Sequence, residues 1–485
     1  MVKTWSKNTF WQLFVGSCAS IGPFALGFDD GWSAPATPSI RKDVTLNATD
    51  DQIDWIVSGI PIGCTIGGFI GFISTNLLGR RGTMLFISPV YVLSHLLAAL
   101  SNNFWWIFIG RILAGIVDIV VCMAAQIYTS EIASPELRGI IASLPAVFGV
   151  AGILCTYILG TFMDWRTMTL VELVIPVSYL SMLFHVESPV WLLQKGKIDI
   201  ARKAIKSLRG SHADINEELN RIKENNEKNQ NKGDFSMRDV LRPQFYKPMI
   251  LSLFMMFFQM FSGYGPIIYN SVEILQSGDT TVQENFASIT MAVLMLAVVI
   301  CSSLFVDNAG RKILLIISGI MLSLSLVTLG IYFYMKETSD RNLLSHLGWI
   351  PFASLLLYYA SYSSGYFSVP YILLSEMSPA RYRDIMCSIG YFASNLFIFV
   401  GVRSFPHLKY YLGSYGAFWL FMSNMIVANF FVLFFIPETK GLSLEQVEAL
   451  FTNEEAKVDS NTSQEEGIGN TAFEAEKDSH QSAII

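Results

Sequence analysis

The stretch SEIASPELRG (130–139) recurs in outline as SEMSPARYRD (375–384), and each copy directly follows a long apolar segment. Two further motifs recur around it in the same order. They are Gly79-Arg80-Arg81, matched by Gly310-Arg311-Lys312, and Glu187-Ser188-Pro189, matched by Pro437-Glu438-Thr439. Because three motifs keep their order in both halves, the chain is predicted to be an internal duplication with six apolar segments in each copy.

The composition of the chain indicates a membrane protein. Hydrophobic residues make up 52% of the 485 residues, charged residues only 15%, and the mean hydropathy is +0.44. Globular domains carry roughly a quarter charged residues, so compact soluble domains of this composition would expose too much apolar surface. The composition therefore argues against a soluble enzyme, a nucleic-acid-binding protein and a disordered scaffold.

Twelve apolar segments are long enough to cross a bilayer, whose core of roughly 30 Å needs about 20 helical residues. The predicted spans are, in order, 10–31, 53–75, 83–101, 104–129, 140–162, 168–186, 247–275, 284–306, 313–335, 348–374, 384–404 and 414–436. Backbone groups in hydrocarbon must pair within their own segment, so each span is predicted to be a helix. The fold class is therefore an all-α membrane protein.

The chain divides into four predicted regions. Residues 1–186 and 247–451 are predicted to form two six-helix bundles. The basic segment 187–246 between them is predicted to be a linker of amphipathic helices outside the membrane. The tail 452–485 is acidic and rich in Ser, Asn and Gln, so we expect it to be disordered.

The basic residues of the short loops are in modest excess on the side that holds both chain ends and the linker. By the positive-inside rule, both termini and the linker are predicted to be cytosolic. The first apolar stretch is interpreted as a retained span rather than a cleaved signal. Asn47, in Asn47-Ala48-Thr49, is then outside and is a candidate glycosylation site.

Neither the cysteines nor the histidines have the spacing of a metal site. All six cysteines lie in apolar segments, and the six histidines are scattered along the chain. The sequence also contains no evident nucleophile–base signature and no phosphate-binding loop. We therefore expect no metal, no cofactor and no enzymatic activity.

A set of strings spread over residues 25–451 carries a family resemblance. They are GRILAG (110–115), SEIASPELRG (130–139), GIL (152–154), ESPVWLL (187–193), FFQMFSG (257–263), GRKILL (310–315), SHLGWIP (345–351), GAFWLF (416–421) and PETKG (437–441). The chain resembles a sugar porter of the major facilitator superfamily, and most resembles the insect facilitated trehalose transporter group.

The resemblance implies a plasma-membrane protein that moves a hexose, trehalose or related polyol by alternating access. It implies a small-molecule sugar and the lipid bilayer as partners, no nucleic acid, and function as a monomer. Facilitative uniport is the first hypothesis. A proton-coupled symporter and a non-transporting sugar sensor are the alternatives.

The charged residues of the repeated motifs are predicted to form a gate at the cytosolic ends of the helices. They are Arg80, Arg81, Glu131, Arg138 and Glu187 in the first half, and Arg311, Lys312, Glu376, Arg383 and Glu438 in the second. In the family, such ion pairs join helix ends when the cytosolic side is closed. The family's acidic residue is Asn76 in the first half and Asp307 in the second, so we expect the first cluster to be weaker. Topogenic positive charges with incidental acids are the alternative.

Polar residues inside spans 7, 10 and 11 are the candidate sugar-binding positions, because polar groups in a membrane are costly unless they face a cavity or a partner. They are Gln259, Tyr264, Tyr269, Asn270, Tyr371, Ser394 and Asn395. Helix–helix packing through small polar residues is the alternative. Compared with the family pattern, Met260, Gly265, Ala146 and Met295 replace amides, which predicts weakened hexose or disaccharide binding unless other groups substitute.

Span 1 contains Asp29, at the acidic position of proton-coupled sugar porters, and Arg111 of span 4 matches the partner arginine of that family. An intramembrane carboxylate whose pairing with Arg breaks on protonation can couple transport to protons. Arg111 and Asp118 are about 10 Å apart along their helix, so Arg111 is expected to pair with span 1. A purely structural pair, or a position in the outer vestibule where span 1 ends, are the alternatives.

Overall fold

The computed structural model describes residues 7–134, 137–210, 215–230, 237–278, 280, 282–338, 347–379, 381–440, 446–447 and 450–451. Every regular element within these ranges is helical. The predicted disordered tail, 452–485, lies outside the described residues.

The first half and the linker are built from eleven α-helices and two 3-10 helices. The α-helices are α1 (Lys7–Ala19), α2 (Ile21–Arg41), α3 (Asp50–Leu78), α4 (Arg80–Leu100), α5 (Phe104–Ile132), α6 (Arg138–Gly160), α7 (Trp165–Val171), α8 (Val174–Ser178), α9 (Pro189–Gln194), α10 (Ile198–Arg209) and α11 (Ile215–Gln230). The 3-10 helices are Tyr179–Phe184 and Met237–Leu241.

The second half contains several interrupted helices. Its elements are α12 (Pro243–Met260), α13 (Tyr264–Tyr269), α14 (Ser271–Ser277), α15 (Glu284–Ala309), α16 (Arg311–Thr338), α17 (Ile350–Ser361), a π-turn (Tyr362–Tyr366) and α18 (Val369–Met377). The run Arg383–Phe435 is broken at Gly413, whose φ of 71° and ψ of 169° are not helical. It therefore consists of two helices, α19 (383–412) and α20 (414–435).

Local sequence explains where several helices begin. Thr49 and Gln52 form a reciprocal capping box at the start of α3. The side chain of Asn103 accepts a backbone hydrogen bond at the start of α5, and that of Asp164 does so at α7. Gly263 adopts a left-handed conformation with φ 94°, which favours glycine and separates α12 from α13.

Ten segments of the described chain are long and apolar enough to cross a membrane. One of them contains both α19 and α20, and the interrupted run α17–α18 adds another crossing, so twelve crossings are present. Large apolar side chains are exposed in the middle of these helices, including Leu93, Ile320 and Val427. This is the arrangement expected where lipid is the solvent.

The helices pack as two bundles that meet along one interface. Within the first half, α2 packs on α6, and α5 packs on both α3 and α4. Between the halves, α3 packs against the 383–435 run, α6 against α15, and α2 against α13 and α14. The ends at Leu78, Ile132 and Phe184 share the side of the linker, which we call the linker end; the opposite side is the far end.

The linker helices dock on the linker end of the first bundle. Arg209 of α10 donates to the carbonyl oxygens of Ile132 and Ala133 at 2.7 and 3.2 Å, where a positive charge complements the C-terminus of α5. Gln12 of α1 donates to Leu208 O at 3.1 Å. The linker start is thereby held against α1 and α5.

Asp43, in the loop after α2, ties the far-end loops of the first half together. It accepts hydrogen bonds from Trp165 Nε1 and Arg166 Nε, both at 3.1 Å, and from Thr45. Burial alone would raise the pKa of Asp43, but these hydrogen bonds outweigh it and lower the pKa to about 2. The ionised carboxylate is therefore part of the fold of this loop.

The structure corrects the predicted end of span 1. The span was expected to end near residue 31, but the helical segment Thr9–Arg41 continues ten residues further, through Pro35 and Pro38. Asp29 is consequently fully buried within a helix rather than placed in an outer vestibule. The interval 405–413 between the predicted spans 11 and 12 is also mostly helical, because α19 continues to residue 412 and only Gly413 separates it from α20.

Candidate functional site

Glu187 caps the start of α4 at the linker end of the first half. Gly79 has a φ of 84°, which turns the chain sharply between α3 and α4. The Glu187 carboxylate accepts backbone hydrogen bonds from Arg80 and Arg81, both at 3.1 Å, and from Gly82 at 3.2 Å. A carboxylate at a helix N-terminus satisfies free N–H groups and complements the helix dipole.

Glu438 occupies the equivalent position in the second half. Gly310 has a φ of 92° between α15 and α16. The Glu438 carboxylate accepts from the backbone N–H groups of Arg311 at 3.0 Å and Lys312 at 3.1 Å. The sequence repeat thus appears in the structure as a repeated cap.

One ion pair accompanies each cap. Arg80 Nη2 lies 2.8 Å from Glu131 Oε1, and Arg311 Nη2 lies 3.0 Å from Glu376 Oε1. The free oxygen of Glu131 accepts from the hydroxyl of Ser188. That of Glu376 accepts at 2.5 Å from Thr439. In both halves, the ion-paired carboxylate (Glu131 or Glu376) thus binds both the arginine and the hydroxyl of the residue that follows the capping glutamate.

The other predicted gate residues are placed differently from expectation. Arg81 donates to the carbonyl oxygens of Met182 and Leu183 at 2.7 and 2.8 Å, and it forms no ion pair with any residue that the structure describes. Glu187 and Glu438 bind backbone N–H groups, since the positive-φ glycines present those groups to them. Among the described residues, the side chain of Lys312 forms no ion pair, and Nε and Nη2 of Arg383 have no hydrogen-bond partner.

The expectation of a weaker first cluster stays a prediction. Asn76 donates to Phe72 O within its own helix, and its carbonyl oxygen accepts from Trp191 Nε1 at 3.1 Å. The side chains of Arg138 and Asp307 lie outside the described residues.

Asp29 and Arg111 form a buried ion pair inside the first half. Arg111 Nη1 binds Asp29 Oδ1, and Nη2 donates to Asp29 O at 3.2 Å. The guanidinium also lies 4.1 Å from the ring centroid of Trp32. Asp29 is completely buried and Arg111 is 3% exposed, so neither side chain opens directly onto solvent.

His95 and Glu172 complete this cluster, and sequence reasoning missed both. His95 Nε2 lies 3.1 Å from Glu172 Oε2 and 3.5 Å from Asp29 Oδ2. Tyr91 donates to Glu172 Oε1 at 2.9 Å, and Asp118 is buried in the same region. Ionisable residues within a span are functional candidates by default, and that signal would have selected His95 and Glu172.

The ligand atoms of Asp29, His95 and Glu172 lie within 4.8 Å of one another, a spacing that a metal ion could bridge. The guanidinium of Arg111 already binds Asp29, however, and its positive charge would repel a cation. The geometry therefore favours an internal charge network over a metal centre.

The predicted sugar-binding residues lie in the second half, several of them close to its interface with the first. Gln259 is 1% exposed and donates from Nε2 to Tyr366 O at 2.7 Å. Its Oε1 is buried with no hydrogen-bond partner among the described residues. Tyr264 stacks on Tyr362, with ring centroids 4.6 Å apart. Gln259 thus keeps one unused acceptor in the polar interior.

Tyr371 and Ser394 are brought together and linked to the first half. Their hydroxyl oxygens are 2.7 Å apart, and the Tyr371 ring stacks on that of Tyr391 at 5.1 Å. Tyr391 in turn donates across the interface to Oε1 of Gln126 on α5, at 2.6 Å. Tyr391 and Gln126 are therefore part of the same polar group, although they were not among the predicted binding residues.

Two predicted amides are used by their own helices. Asn270 donates to Pro266 O at 2.9 Å, and Asn395 donates to Tyr391 O at 2.8 Å. Tyr269 instead crosses the interface, where its hydroxyl donates to Asp30 Oδ1 at 2.5 Å. Of the residues predicted in span 7, Tyr269 alone hydrogen bonds to the first half among the described contacts.

The far end of the interface is closed by contacts between the halves. Arg403 Nη2 lies 2.6 Å from Asp51 Oδ1, and its guanidinium lies 4.6 Å from the ring centroid of Trp55. Arg41 Nη1 lies 3.5 Å from Glu273 Oε2. These contacts hold the ends of α2 and α3 against α14 and α19.

Tyr157 of α6 adds a buried connection between the halves. Its hydroxyl donates to Ile268 O at 3.1 Å and accepts from Ser271 Oγ at 3.2 Å. A first-half side chain therefore bonds on both sides of the junction between α13 and α14.

Comparison with known proteins agrees with this architecture. A family model described as "Sugar (and other) transporter" matches residues 15–451. The chain belongs to this sugar transporter family. The sugar transporter is 33% identical over 447 residues to the facilitated trehalose transporter of Culex quinquefasciatus, covering 91% of this chain and 86% of that relative. It is 34% identical over 444 residues to the one of Apis mellifera ligustica, covering 91% and 88%.

The fold of this sugar transporter matches solved structures. The inward-open xylose transporter from E. coli superposes with a TM-score of 0.75 at 22% identity, over 90% of this chain and 99% of that one. The proton:xylose symporter bound to 6-bromo-6-deoxy-D-glucose gives the same TM-score and identity, over 91% and 99%. The sugar transporter thus has the twelve-helix major facilitator fold, and it is a membrane transporter rather than an enzyme.

Proposed function

We propose that the protein is a facilitative uniporter that carries trehalose or a related sugar or polyol by alternating access. The observation that carries the proposal is that polar side chains of the two halves meet at two depths of the interface. Asp30 meets Tyr269 about 16 Å from the far end of α2, and Gln126 meets Tyr391 about 9 Å from the linker end of α5. Rocking of the halves would break and remake such pairs.

The contacts at the far end indicate on which side of the membrane the interface between the halves is closed. Arg403–Asp51 and Arg41–Glu273 join the halves there, which supports a conformation closed at the far end. With the linker and both termini in the cytosol, the closed far end is the outward side of the membrane. The protein is then a multi-pass monomer of the plasma membrane, with its exposed apolar side chains in lipid and Asn47 on the outside.

Uniport is favoured over proton coupling by the surroundings of Asp29. Its carboxylate is bound by Arg111 and faces His95, and the whole cluster is buried inside one bundle. A proton acceptor for coupled transport must instead reach solvent from each side in turn.

Counterflow in proteoliposomes tests the proposal. We expect labelled trehalose or glucose to exchange with unlabelled sugar, without accumulation when a pH gradient is imposed. Gln259→Leu, which removes the buried amide at nearly constant volume, serves as the matched variant and is expected to slow exchange. Absence of counterflow with a broad polyol panel would contradict the proposal and favour the sensor.

Proton symport is the second candidate, and the Asp29–Arg111 pair motivates it. If it holds, uptake will rise between external pH ~7.5 and ~5.5, and Asp29→Asn will abolish the pH response while sparing counterflow. Uptake that is unchanged across this pH range, together with intact uptake in Asp29→Asn, would rule out coupling through Asp29.

A further inference from the structure

Helix α2 carries two adjacent carboxylates that point in different directions, because successive helical residues are rotated by about 100°. Asp29 is completely buried and binds Arg111 within the first half. Asp30 is partly exposed and reaches towards α13 of the second half. The two carboxylates therefore bind different halves of the protein: Asp29 its own half and Asp30 the second half.

Among the described residues, the side chain of Asp30 is hydrogen bonded only across the interface. Tyr269 donates to its Oδ1 at 2.5 Å, a length typical of a charge-assisted hydrogen bond between a hydroxyl and a carboxylate. Within the described residues Asp30 accepts no other hydrogen bond, so its second oxygen is available to a further donor. A partly exposed carboxylate with a free oxygen, placed where the two bundles meet, is a strong hydrogen-bond acceptor.

The amide nitrogens of the three predicted binding amides already donate hydrogen bonds within the protein. The Gln259 amide nitrogen donates to Tyr366 O, and Asn270 and Asn395 donate to carbonyl oxygens of their own helices. A neutral polyol presents many O–H donors and needs acceptors to receive them. Asp30 is a charged acceptor that the interface offers beside the remaining oxygen of Gln259.

We propose that Asp30 is a solute-binding carboxylate that accepts hydroxyl hydrogens of the transported sugar, and that Tyr269 bonds this acceptor when no solute is bound. This inference rests on the proposed sugar transport and adds a first-half residue to its binding site. The ligand class is a neutral polyol with at least two adjacent hydroxyl groups, one for each oxygen of the carboxylate.

Exchange of donors explains how such a charge is tolerated at this depth. A carboxylate that lost its donor inside the protein would bear a large desolvation penalty. A solute hydroxyl that replaces the Tyr269 phenol keeps the carboxylate bonded. It also releases the hydrogen bond that joins α13 to α2, so binding of the solute is linked to separation of these two helices.

The test compares sugars that lack single hydroxyl groups, using the full chain in proteoliposomes. For the wild type, we expect at least one deoxy analogue to show a KM about 10- to 100-fold above that of the parent sugar, the range of a charge-assisted hydrogen bond. In Asp30→Asn this ratio is expected to fall towards 1. In Tyr269→Phe the ratio persists, because the acceptor remains.

An unchanged pattern of analogue discrimination in Asp30→Asn, or equal loss of discrimination in Tyr269→Phe, would overturn the role of Asp30. Asp30→Ser, which keeps a small polar side chain without charge, provides the same comparison if Asp30→Asn does not fold.

Equilibrium sugar binding to the purified protein, read by tryptophan fluorescence, separates the two proposals. Binding that depends on Asp30 without any counterflow would contradict transport but support this site. Absence of both binding and counterflow would overturn both.

Discussion

Replacing Asp29 by Asn removes one charge from a buried pair and leaves Arg111 without its counter-ion. Both side chains are at most 3% exposed, and the guanidinium has no other carboxylate within ion-pair distance among the described residues. The variant therefore tests whether Asp29 has a structural role or a coupling role.

The expected penalty follows from this burial. Breaking a buried ion pair by removing one partner costs about 3–5 kcal/mol, because the remaining charge is uncompensated. His95 keeps its contact with Glu172 at 3.1 Å, so the lower end, about 3 kcal/mol, applies. At an unfolding entropy of about 2.1 cal/mol/K per residue, that corresponds to a fall in melting temperature of about 3 °C for this chain of 485 residues.

Thermal unfolding of the purified protein in one detergent provides the measurement. The double variant Asp29→Asn/Arg111→Gln, which removes both charges, is expected to recover much of the loss. Asp30→Asn is the matched control, since Asp30 is the next residue of the same helix, and its carboxylate is partly exposed and accepts a single hydrogen bond among the described residues. Its expected cost is about 1 kcal/mol.

The structural reasoning would be refuted by a melting temperature in Asp29→Asn equal to that of the wild type. It would also fail if the double variant were less stable than Asp29→Asn alone. An Asp29→Asn variant that keeps the stability of the wild type but loses pH-dependent uptake would show that Asp29 couples transport to protons rather than stabilising the fold.

Three further outcomes are expected. Gly79→Ala and Gly310→Ala should each lower the free energy of unfolding by about 1–2 kcal/mol, since the positive φ of these residues disfavours a side chain. Gly139→Ala is the control, because a Cβ added there meets no atom within 4 Å. Equal melting temperatures in all three variants would contradict the role of the positive φ. Asp43→Asn should lower the free energy of unfolding by about 2 kcal/mol above pH ~4. Because the pKa of Asp43 is lowered in the folded protein, its ionised carboxylate stabilises the fold above the ordinary pKa of an aspartate, and this stabilisation is lost as the pH falls towards about 2. A difference in melting temperature between wild type and variant that does not narrow towards pH ~2 would contradict this role of Asp43. Asn47, which is exposed, should carry a glycan when the protein is made in insect cells, so glycosidase treatment should shift the wild type on a gel but leave Asn47→Gln unmoved.

The sequence predicted the spanning helices well, because a run of about 20 apolar residues is a local property. The span expected at 104–129 is observed as Phe104–Ile132, and the one at 284–306 as Glu284–Ala309. The prediction failed at the end of span 1, where two acids and two prolines resemble a helix terminus. Arg111 neutralises the charge of Asp29, and the helix continues through Pro35 and Pro38.

The site was less predictable, because its contacts join residues distant in sequence. Tyr371 and Ser394 could be selected as polar residues within spans, and the structure places their hydroxyls together. Their link to Gln126 through Tyr391 depends on how α19 packs against the first half, which no local pattern encodes. Similarly, His95 belongs to α4 whereas Glu172 directly follows α7, so no spacing connects them in the sequence.

The two capping glutamates have a mechanical consequence for anything joined to this chain. Glu187 is the first acid after the last span of its half and Glu438 after the last span of the other, yet each carboxylate holds the start of a much earlier helix, α4 or α16. Tension on the linker or on the segment beyond Lys440 is therefore transmitted straight to those helix starts. A reporter fused after residue 451 leaves both attachments intact, whereas truncation ahead of Glu438 would detach the base of α16.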